Sequence, residues 1–470
     1  MNKYKTITIV VAGALLIILG VKGMSSAKKG VSCTDCNVIV IGVDTLRADH
    51  LSALGYERNT TPTLDALAKE GTIFSQSISD ASWTVPAFMS VMTGTYPSVH
   101  GVINKFKVFT SQAKKLSNLK DSAPNIETLA QQFKNAGYAT GGFTGDAGVS
   151  AKFGYGIGFD KYTDEVAFGG LQNSDRHAME WLDTLPKNQK FFMFFHGYDL
   201  HGQFAGSGKD YKGIFTPTNY TGPYKGTMQE EAKLREDQLV FPLHLTKEDA
   251  AFWTAWYDSK LHDADARLAG FLAQLKDRGL LDKTIIVVVS DHGEEFYEHK
   301  GFDHGQSLYD ELIHVPLIFK IPGVAGGNVV KGQVSTMDMG PALLKLVGIT
   351  PSAAYEKQTL GRPNLVDYIK NPTMPGYDVY AETDYRDFTH IRSIRTADGW
   401  KYIRTLQDGK EELYDLNTDP KELVNLAELN PAKKAELRAK LDAHITNDLK
   451  ADPNAKPAVG CLPVYDGECI

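Results

Sequence analysis

Six side chains that can bind a metal ion or move a proton stand at the ends of predicted strands and helices. They are Asp44, Thr84, His201, Asp291, His292 and His304. Two carboxylates and an imidazole suit one divalent cation, and a hydroxyl group on the same cation has a lowered pKa and becomes a nucleophile. The set therefore predicts a metal-assisted group transfer with Thr84 as the attacking residue. In isolation each residue has a structural alternative, such as a turn aspartate or a surface histidine.

The segment around Thr84 predicts an anion site at the start of a helix. Thr84 stands two positions before Pro86, and a short apolar pattern follows until Gly94. Proline is tolerated in the first turn of a helix, so we expect Thr84 at or beside the N-cap. The free backbone N–H groups and the positive dipole end at that position attract an anion. A threonine that only caps the helix is the alternative.

The other candidates follow apolar runs that are typical of buried parallel strands. Asp44 follows the run 37–43, the pair Asp291 and His292 follows a second run of the same design, and His201 comes shortly after a third. Ligands of such sheets gather at the carboxyl ends of the strands. The sequence therefore predicts that these residues meet at one edge of a sheet.

The remaining patterns alternate between strands and helices. A long amphipathic helix is predicted over 247–279, and residues 203–245, without periodicity, are predicted to form a long loop or lid. After about residue 375, short strands separated by Asp-Gly turns precede a predicted helix over 431–447. We predict an α/β sandwich with a large, mostly parallel sheet flanked by helices, plus a small C-terminal antiparallel sheet with one helix.

The start of the chain has the layout of an export signal. Lysines precede the apolar run 6–21, and small residues lead to a cleavage site after Ala27. The run is short of the roughly 20 residues that span a bilayer, but an uncleaved membrane anchor is the alternative. Either alternative predicts an exported protein of the periplasm or cell envelope, membrane-anchored in the second case.

Four cysteines occur only near the chain ends, at Cys33, Cys36, Cys461 and Cys469. An even number in an exported chain predicts two disulfides. The pairing stays open, and one arrangement would tie the C-terminal tail to the start of the first strand. The predicted segments are a signal peptide or anchor over 1–27, a catalytic α/β domain over 36–370, a small α+β subdomain over 375–450 and a cysteine-containing tail over 451–470.

The charge of the chain argues against one class of partner. The 470 residues carry a formal net charge of −7 and show no dense basic patch, so we expect no nucleic-acid partner. No pattern determines the oligomeric state.

Several spaced motifs occur in order along the chain. They are Val43-Asp44-Thr45-Leu46-Arg47-Ala48-Asp49-His50, Thr84-Val85-Pro86 with Thr93-Gly94 and Tyr96-Pro97, Ser290-Asp291-His292-Gly293-Glu294, residues 301–305, Ser307-Leu308-Tyr309-Asp310-Glu311 and Glu412-Leu413-Tyr414-Asp415-Leu416. Together they resemble the motifs of the sulfatase family of the alkaline-phosphatase superfamily. The resemblance covers residues 36–425 and implies an alkaline-phosphatase-like fold.

The resemblance also implies roles for the candidate residues. Asp44, Asp291 and His292 match metal ligands, and the ligand set is completed by the nucleophile at Thr84. His201 matches a histidine that contacts the ester or protonates its leaving group. Two further residues match the anion pocket: His304, which corresponds to the basic residue that holds the anionic oxygens, and Asn104, a weaker candidate.

Four positions depart from the family pattern. Family sulfatases carry a Cys or Ser that is oxidised to formylglycine, followed four places on by Arg, where this chain has Thr84 and Phe88. Threonine is not a substrate for that oxidation, so no formylglycine is expected. Thr45 replaces a second aspartate and His292 replaces a frequent asparagine. This donor set moves the expected metal from Ca²⁺ towards Mn²⁺ or Zn²⁺.

We expect one divalent ion rather than two. Asp199, His196 and His201 are the residues that a second ion would use, but their spacing does not match two-metal enzymes. The predicted function is a metal-dependent hydrolase of sulfate or phosphate esters that forms a covalent Thr84 intermediate. A plain threonine ester lacks the hemiacetal-type route that expels sulfate, which favours phosphodiesters, phosphonates or transfer of a phospho group.

The expected substrate is an anionic ester of a small molecule, a glycan or a lipid. The alternative function is that of a non-catalytic cell-envelope protein, which would use the same pocket to bind anionic glycans. The absence of the formylglycine precursor and of the following Arg keeps this alternative open.

Overall fold

A computed structural model describes residues 31–109, 114–202, 214–453 and 455. The predicted signal or anchor and most of the predicted tail lie outside these residues. Among the helices within these ranges, none is long and apolar enough to cross a bilayer.

The strands are numbered in chain order. They are β1 (Asn37–Val43), β2 (Thr72–Phe74), β3 (Ser77–Ile78), β4 (Phe106–Phe109), β5 (Lys114–Leu116), β6 (Ala139–Phe143), β7 (Lys161–Thr163), β8 (Phe191–Gly197), β9 (Thr284–Val289), β10 (Glu295–Phe296), β11 (Phe302–Asp303), β12 (Leu317–Lys320), β13 (Asn328–Val330), β14 (Val334–Ser335), β15 (Val379–Thr383), β16 (Ile391–Arg395), β17 (Trp400–Thr405) and β18 (Glu411–Asp415).

The α-helices are numbered in the same way. They are α1 (Pro62–Glu70), α2 (Thr84–Thr93), α3 (Pro97–His100), α4 (Leu119–Ser122), α5 (Leu129–Asn135), α6 (Leu171–Thr184), α7 (Met228–Val240), α8 (Lys247–Asp277), α9 (Asp310–Ile313), α10 (Met339–Val347), α11 (Ala353–Gln358), α12 (Leu365–Lys370) and α13 (Pro431–Asn447).

An eight-stranded sheet forms the centre of the fold, in the order β13-β2-β12-β9-β1-β8-β6-β7. The run from β9 through β1, β8 and β6 to β7 is parallel, whereas β12 is antiparallel to both of its neighbours. This arrangement confirms the predicted large, mostly parallel sheet. It also places the carboxyl ends of β9, β1 and β8 side by side.

The central strands are buried on both faces because helices cover both sides of the sheet. In β1, Val38 and Val40 point into a core that α2, α5 and α10 line, whereas Ile39 and Ile41 point into a second core under α8. All four side chains are fully buried. Burying one such side chain stabilises a fold by about 1.5–3 kcal/mol, so the continuous apolar run is what keeps β1 in the middle of the sheet.

The C-terminal part forms the predicted small sheet. Strands β15, β16, β17 and β18 pair antiparallel in that order. The connections at Gly399 and Gly409 have positive φ angles, as the Asp-Gly turns predicted. Helix α13 covers one face with Leu437 and Leu441, which pack against Tyr402.

One sequence prediction for this region of the chain is wrong. Residues 203–245 are not a continuous loop, because α7 (Met228–Val240) lies within them. Its start has a capping box in which Thr227 and Glu230 each accept a hydrogen bond from the other's backbone N–H. The helix is polar on most sides, so the absence of apolar periodicity concealed it, but the Thr-x-x-Glu spacing could have revealed it.

The cysteines pair in one of the ways that the sequence left open. Cys33 and Cys36 form a disulfide with each other. In this structure neither of them therefore ties the C-terminal tail to the first strand. Cys461 and Cys469 lie outside the described residues.

Candidate active site

Three neighbouring strands bring the predicted residues to one edge of the central sheet. Asp44 directly follows β1, Asp291 and His292 follow β9, and His201 follows β8. Since β9, β1 and β8 are adjacent and parallel, their carboxyl ends share this edge. The juxtaposition is the one that the apolar runs predicted.

Asp44, Asp291 and His292 form a compact group, here called the Asp44 cluster. One ligand atom from each lies within 4.8 Å of the others, and all three side chains are completely buried. The Oδ2 atoms of both aspartates have no hydrogen-bond donor within the described residues. Buried carboxylate oxygens without donors are costly, and a divalent cation would satisfy them. The residues present therefore fit a bound metal ion.

The electrostatics of the Asp44 cluster agree with this fit. Burial and the neighbouring charge of Asp291 raise the pKa of Asp44 well above its ordinary value. Burial lowers the pKa of His292 to about 4, so its imidazole is neutral at pH 7. His292 Nδ1 lies 2.8 Å from the Gly293 carbonyl oxygen, to which it donates. The lone pair of Nε2 is therefore directed towards Asp291 and Thr84, as a metal-binding histidine requires.

Thr84 is the first residue of α2, with Trp83 at the N-cap. Its Oγ1 lies 3.1 Å from Asp44 Oδ1 and 3.3 Å from His292 Nε2. The backbone of Gly148 packs so closely on Thr84 that a Cβ at this glycine would lie 2.7 Å from the threonine Cβ. The hydroxyl is thus held against the Asp44 cluster at the positive end of a helix.

His304 belongs to a second group with Glu294 and Asp303, here called the His304 cluster. Its Nδ1 lies 2.9 Å from Glu294 Oε1 and 2.7 Å from Asp303 Oδ1. Burial opposes protonation, but the two carboxylates outweigh it and raise the pKa of His304 well above its ordinary value. The imidazolium ring lies 4.3 Å from the His292 ring, which places a positive charge beside the Asp44 cluster.

His201 also lies next to the His304 ring. The centre of the His201 ring lies 5.1 Å from the centre of the His304 ring and 4.9 Å from the centre of the Phe168 ring. Burial and the charge of His304 lower the pKa of His201 well below its ordinary value. Lys260 donates hydrogen bonds to the carbonyl oxygens of Leu200 and His201, which holds the turn after β8 in place.

Asn104 is engaged by the backbone of the C-terminal part of the chain. Its Nδ2 donates to the Asp384 carbonyl oxygen at 2.6 Å, and its Oδ1 accepts from the Arg386 N–H at 2.9 Å. The Asn104 amide thus holds the segment 384–386, and its place in the anion pocket stays a prediction.

Asp199 and His196, two of the residues that a second metal ion would use, lie in different surroundings. Asp199 Oδ1 forms an ion pair with Arg267 Nη1 at 2.5 Å, and Asp199 Oδ2 accepts a hydrogen bond from the Leu171 N–H. The His196 ring packs against Phe88 at 5.1 Å. Neither residue belongs to a metal-binding group in the described part of the chain.

Sequence reasoning missed the residues that charge His304. Glu294 and Asp303 lie within the motifs 290–294 and 301–305, but neither motif indicates that they charge His304, although Asp303 is adjacent to His304. It also missed two cations near the site, Lys105 and Arg386, since residues so far apart share no spacing that a pattern could detect.

Comparisons with known proteins identify the family and agree with the fold. Residues 36–349 match the family described as Sulfatase, and residues 297–451 match that described as N-sulphoglucosamine sulphohydrolase, C-terminal. A sulfatase from Formosa agariphila is 26% identical over 435 residues, which is 83% of this chain and 83% of that protein.

Solved structures show the same fold at lower identity. A 2-O GAG sulfatase has a TM-score of 0.69 and 22% identity, and the match covers 89% of this chain and 95% of that one. The phosphonate monoester hydrolase of Agrobacterium radiobacter has a TM-score of 0.63 and 20% identity over 92% of this chain and 98% of its own. The chain therefore belongs to the sulfatase family of ester hydrolases, within the alkaline-phosphatase superfamily.

Proposed function

We propose that the protein cleaves sulfate or phosphate esters through a covalent intermediate on Thr84, with one divalent cation in the Asp44 cluster. The observation that carries the proposal is the position of Thr84 Oγ1. It lies 3.1 Å from Asp44 Oδ1 and 3.3 Å from His292 Nε2, beside two buried carboxylate oxygens that have no donor in the described ranges of the chain. A hydroxyl in a merely structural cap would point to the backbone N–H groups of its own helix instead.

The donor set favours Mn²⁺ or Zn²⁺ over Ca²⁺. An imidazole nitrogen with two carboxylates suits the transition metals, whereas Ca²⁺ prefers oxygen ligands alone. Asp44, Asp291, His292 and the Thr84 oxygen would hold the ion. When bound, the ion would lower the pKa of the hydroxyl group and offset negative charge in the transition state. The separate surroundings of Asp199 and His196 support one ion rather than two.

The protein's own residues supply the remaining chemistry. Thr84 Oγ1 releases its proton to water and attacks sulfur or phosphorus, and the bond from that sulfur or phosphorus atom to the leaving oxygen breaks. The His304 imidazolium and the N–H groups at the start of α2 bind the non-bridging oxygens. His201 donates a proton to the leaving oxygen. Burial and the charge of His304 hold the pKa of His201 down, and the negative charge of the bound substrate opposes both. Water then cleaves the threonine ester and restores the hydroxyl group.

Esters of phosphorus fit this nucleophile better than sulfate esters. Without formylglycine, the sulfo-threonine has no hemiacetal-type route to expel sulfate, whereas water attacks a phospho-threonine directly at phosphorus. The 2-O GAG sulfatase and the phosphonate monoester hydrolase share this fold, so the fold accommodates both ester classes. The substrate proposed here is an anionic ester of a glycan, a lipid or a small molecule.

The test uses the full chain, stripped of metal and reloaded with Mn²⁺, Zn²⁺ or Ca²⁺. Each form is assayed with an aryl sulfate, a bis-aryl phosphate and an aryl phosphonate. Thr84→Ala should reduce kcat at least about 10³-fold, whereas Thr84→Ser keeps a hydroxyl group and should retain part of the activity. Mass spectrometry of acid-quenched turnover should find the added group on the peptide with Thr84. Turnover by Thr84→Ala within tenfold of the unmodified protein would refute the covalent role.

A non-catalytic function as a binder of anionic glycans is the second candidate. It is favoured by Phe88, which stands where family members carry Arg and is fully buried against Phe194 and His196. A protein that binds metal and sulfated saccharides but turns over none of the three ester classes would have this function.

The proposed location is the periplasm or the cell envelope. It rests on the lysines, the apolar run and the small residues of segment 1–27. Fractionation of cells that produce the full chain, followed by sequencing of its mature N-terminus, tests the location and whether the segment is cleaved.

A further inference from the structure

Within the part of the chain that the structure describes, two cations without acidic partners contact aromatic rings that pack beside the candidate active site. Among the described residues, neither the Lys105 ammonium nor the Arg386 guanidinium forms an ion pair. Each contacts an aromatic ring instead: Lys105 Nζ lies 5.9 Å from the centre of the Phe168 ring, and Arg386 Cζ lies 4.9 Å from the centre of the Tyr385 ring.

The two rings that the cations contact, Phe168 and Tyr385, pack against different parts of the candidate active site. Phe168 packs against His201 at 4.9 Å. Tyr385 packs against Trp83, the residue before Thr84, at 5.2 Å. Tyr385 also approaches Gly305, the residue after His304, so closely that a Cβ there would lie 2.7 Å from the ring. Both cations are therefore anchored to immediate neighbours of the reacting residues.

The two positive charges also influence each other. Lys105 is accessible to solvent, but protein on several sides limits the water around its ammonium group. This desolvation and the nearby charge of Arg386 lower the pKa of Lys105 to about 8. Asp146 and Asp44 act in the opposite direction, yet neither comes within ion-pair distance of the ammonium. Two like charges held together without a counter-charge are unfavourable unless an anion binds between them.

Backbone hydrogen bonds hold the segments that carry Lys105 and Arg386 next to each other. Asn104 bonds to the backbone of Asp384 and Arg386, so the residue before Lys105 holds the segment that carries Arg386. Arg386 itself has a φ angle of 54°, a left-handed conformation that a side chain other than glycine rarely adopts. Such conformations persist where the surrounding structure enforces them, and here the Asn104 amide does so.

We propose that Lys105 and Arg386 bind a second anionic group of the substrate, separate from the ester that is cleaved. This inference rests on the proposed function and narrows the substrate class to esters with at least two anionic groups. A saccharide with two sulfates, or a compound with two phosphates, has this chemistry. Asn104 acts as a positioning residue for the two cations, and His304 remains the residue that binds the ester under attack.

The test measures binding directly, so that it does not depend on turnover. Calorimetry with metal-loaded Thr84→Ala protein compares glucosamine 6-O-sulfate with glucosamine 2-N,6-O-disulfate, and glucose 6-phosphate with glucose 1,6-bisphosphate. In one pair or both, the ligand with two anionic groups should bind about tenfold more tightly or better. The sulfate pair and the phosphate pair together distinguish which anion the two cations prefer.

Variants test whether the preference for the ligand with two anionic groups depends on Lys105 and Arg386. Lys105→Gln with Arg386→Gln should reduce the preference to less than threefold, and Lys105→Gln alone should reduce it in part. Lys105→Arg keeps the charge and should keep the preference. The matched control is Lys161→Gln, an exposed lysine at the amino end of the edge strand β7. Thermal melting confirms that each variant is folded.

The outcomes separate this inference from the proposed function. Equal affinities within both pairs, or a preference that survives in the Lys105→Gln, Arg386→Gln double variant, would overturn the second anion site. A preference that depends on these cations in a protein that turns over no ester would support the anion site and refute the proposed catalysis.

Discussion

Two neighbouring groups in this molecule have the same composition but opposite electrostatics. The Asp44 cluster and the His304 cluster each consist of two buried carboxylates and one histidine, with ligand atoms within 4.8 Å. In the Asp44 cluster the histidine is neutral, and two carboxylate oxygens lack hydrogen-bond donors among the residues that the structure describes. In the His304 cluster the histidine takes a proton and pairs with both carboxylates. The Asp44 cluster therefore fits an added cation that would offset its carboxylates, whereas in the His304 cluster the protonated histidine offsets them.

The difference follows from what each histidine Nδ1 contacts. His292 Nδ1 donates to a backbone carbonyl oxygen, so no carboxylate stabilises a charge at that nitrogen. His304 Nδ1 lies between Glu294 and Asp303. A third group, the His299 cluster (Glu295, His299, Glu311), follows the second pattern, because His299 Nδ1 pairs with Glu311 at 2.5 Å. Composition therefore identifies candidate metal sites, and the partner of Nδ1 selects among them.

The largest expected effect is loss of the metal from the Asp44 cluster. Asp291→Asn should reduce bound metal from about one ion per chain to near zero and reduce kcat/KM at least about 10³-fold. Metal analysis and the ester assay measure the two effects. If Asp291→Asn retains a full metal ion while Asp303→Asn loses it, the assignment of the two clusters is reversed.

A smaller effect is expected from the charged histidine. His304→Ala removes the positive charge that faces the substrate oxygens and should reduce kcat/KM about 10²-fold, with the metal content unchanged. His304→Lys restores a positive charge and should recover part of the loss. The comparison fails if His304→Ala releases the metal or if His304→Lys is no better than His304→Ala.

A still smaller effect is expected when one of the two carboxylates beside His304 is removed. Asp303→Asn leaves Glu294 as the sole counter-charge of His304 and weakens its protonation, which should reduce kcat/KM about tenfold. The matched control is Asp160→Asn, which removes a half-exposed carboxylate paired with Lys134 at the protein surface. An equal loss in both variants would show that the effect is not specific to the cluster.

No effect on catalysis is expected from the His299 cluster. This cluster should instead contribute to the stability of the fold. Burial opposes the charge, but Glu311 raises the pKa of His299 to about 9 from an ordinary value near 6.5. A raised pKa means that the stabilisation is complete below pH 6.5 and is lost as the pH rises through 9. His299→Gln should therefore lower the free energy of unfolding by about 3 kcal/mol at pH 6 and by little at pH 9.5.

Denaturant titrations at the two pH values measure this difference. The pair Glu311→Gln and His299→Gln provides the control, because each variant removes one half of the same interaction. A loss for His299→Gln that is the same at both pH values would show that packing, and not protonation, stabilises this cluster.

Much of the fold and part of the site could be predicted from local patterns. Runs that are apolar at every position, as in β1 and β9, have to be buried on both faces, and the polar residues Asp44 and Asp291 that follow them mark the edge of the sheet. The helix α7 was missed because its sequence is polar on most sides, so neighbouring elements rather than its own periodicity hold it.

The sequence by itself determined the central strands, the polar residues at their ends and the threonine at the start of α2, because apolar runs and helix-capping patterns consist of residues close together in the sequence. The tertiary structure alone decided which carboxylate–histidine group keeps unsatisfied oxygens, and that Lys105 and Arg386 lie together. Protonation and charge repulsion depend on distance and on exclusion of water, and both arise only when segments far apart in the chain have packed against one another.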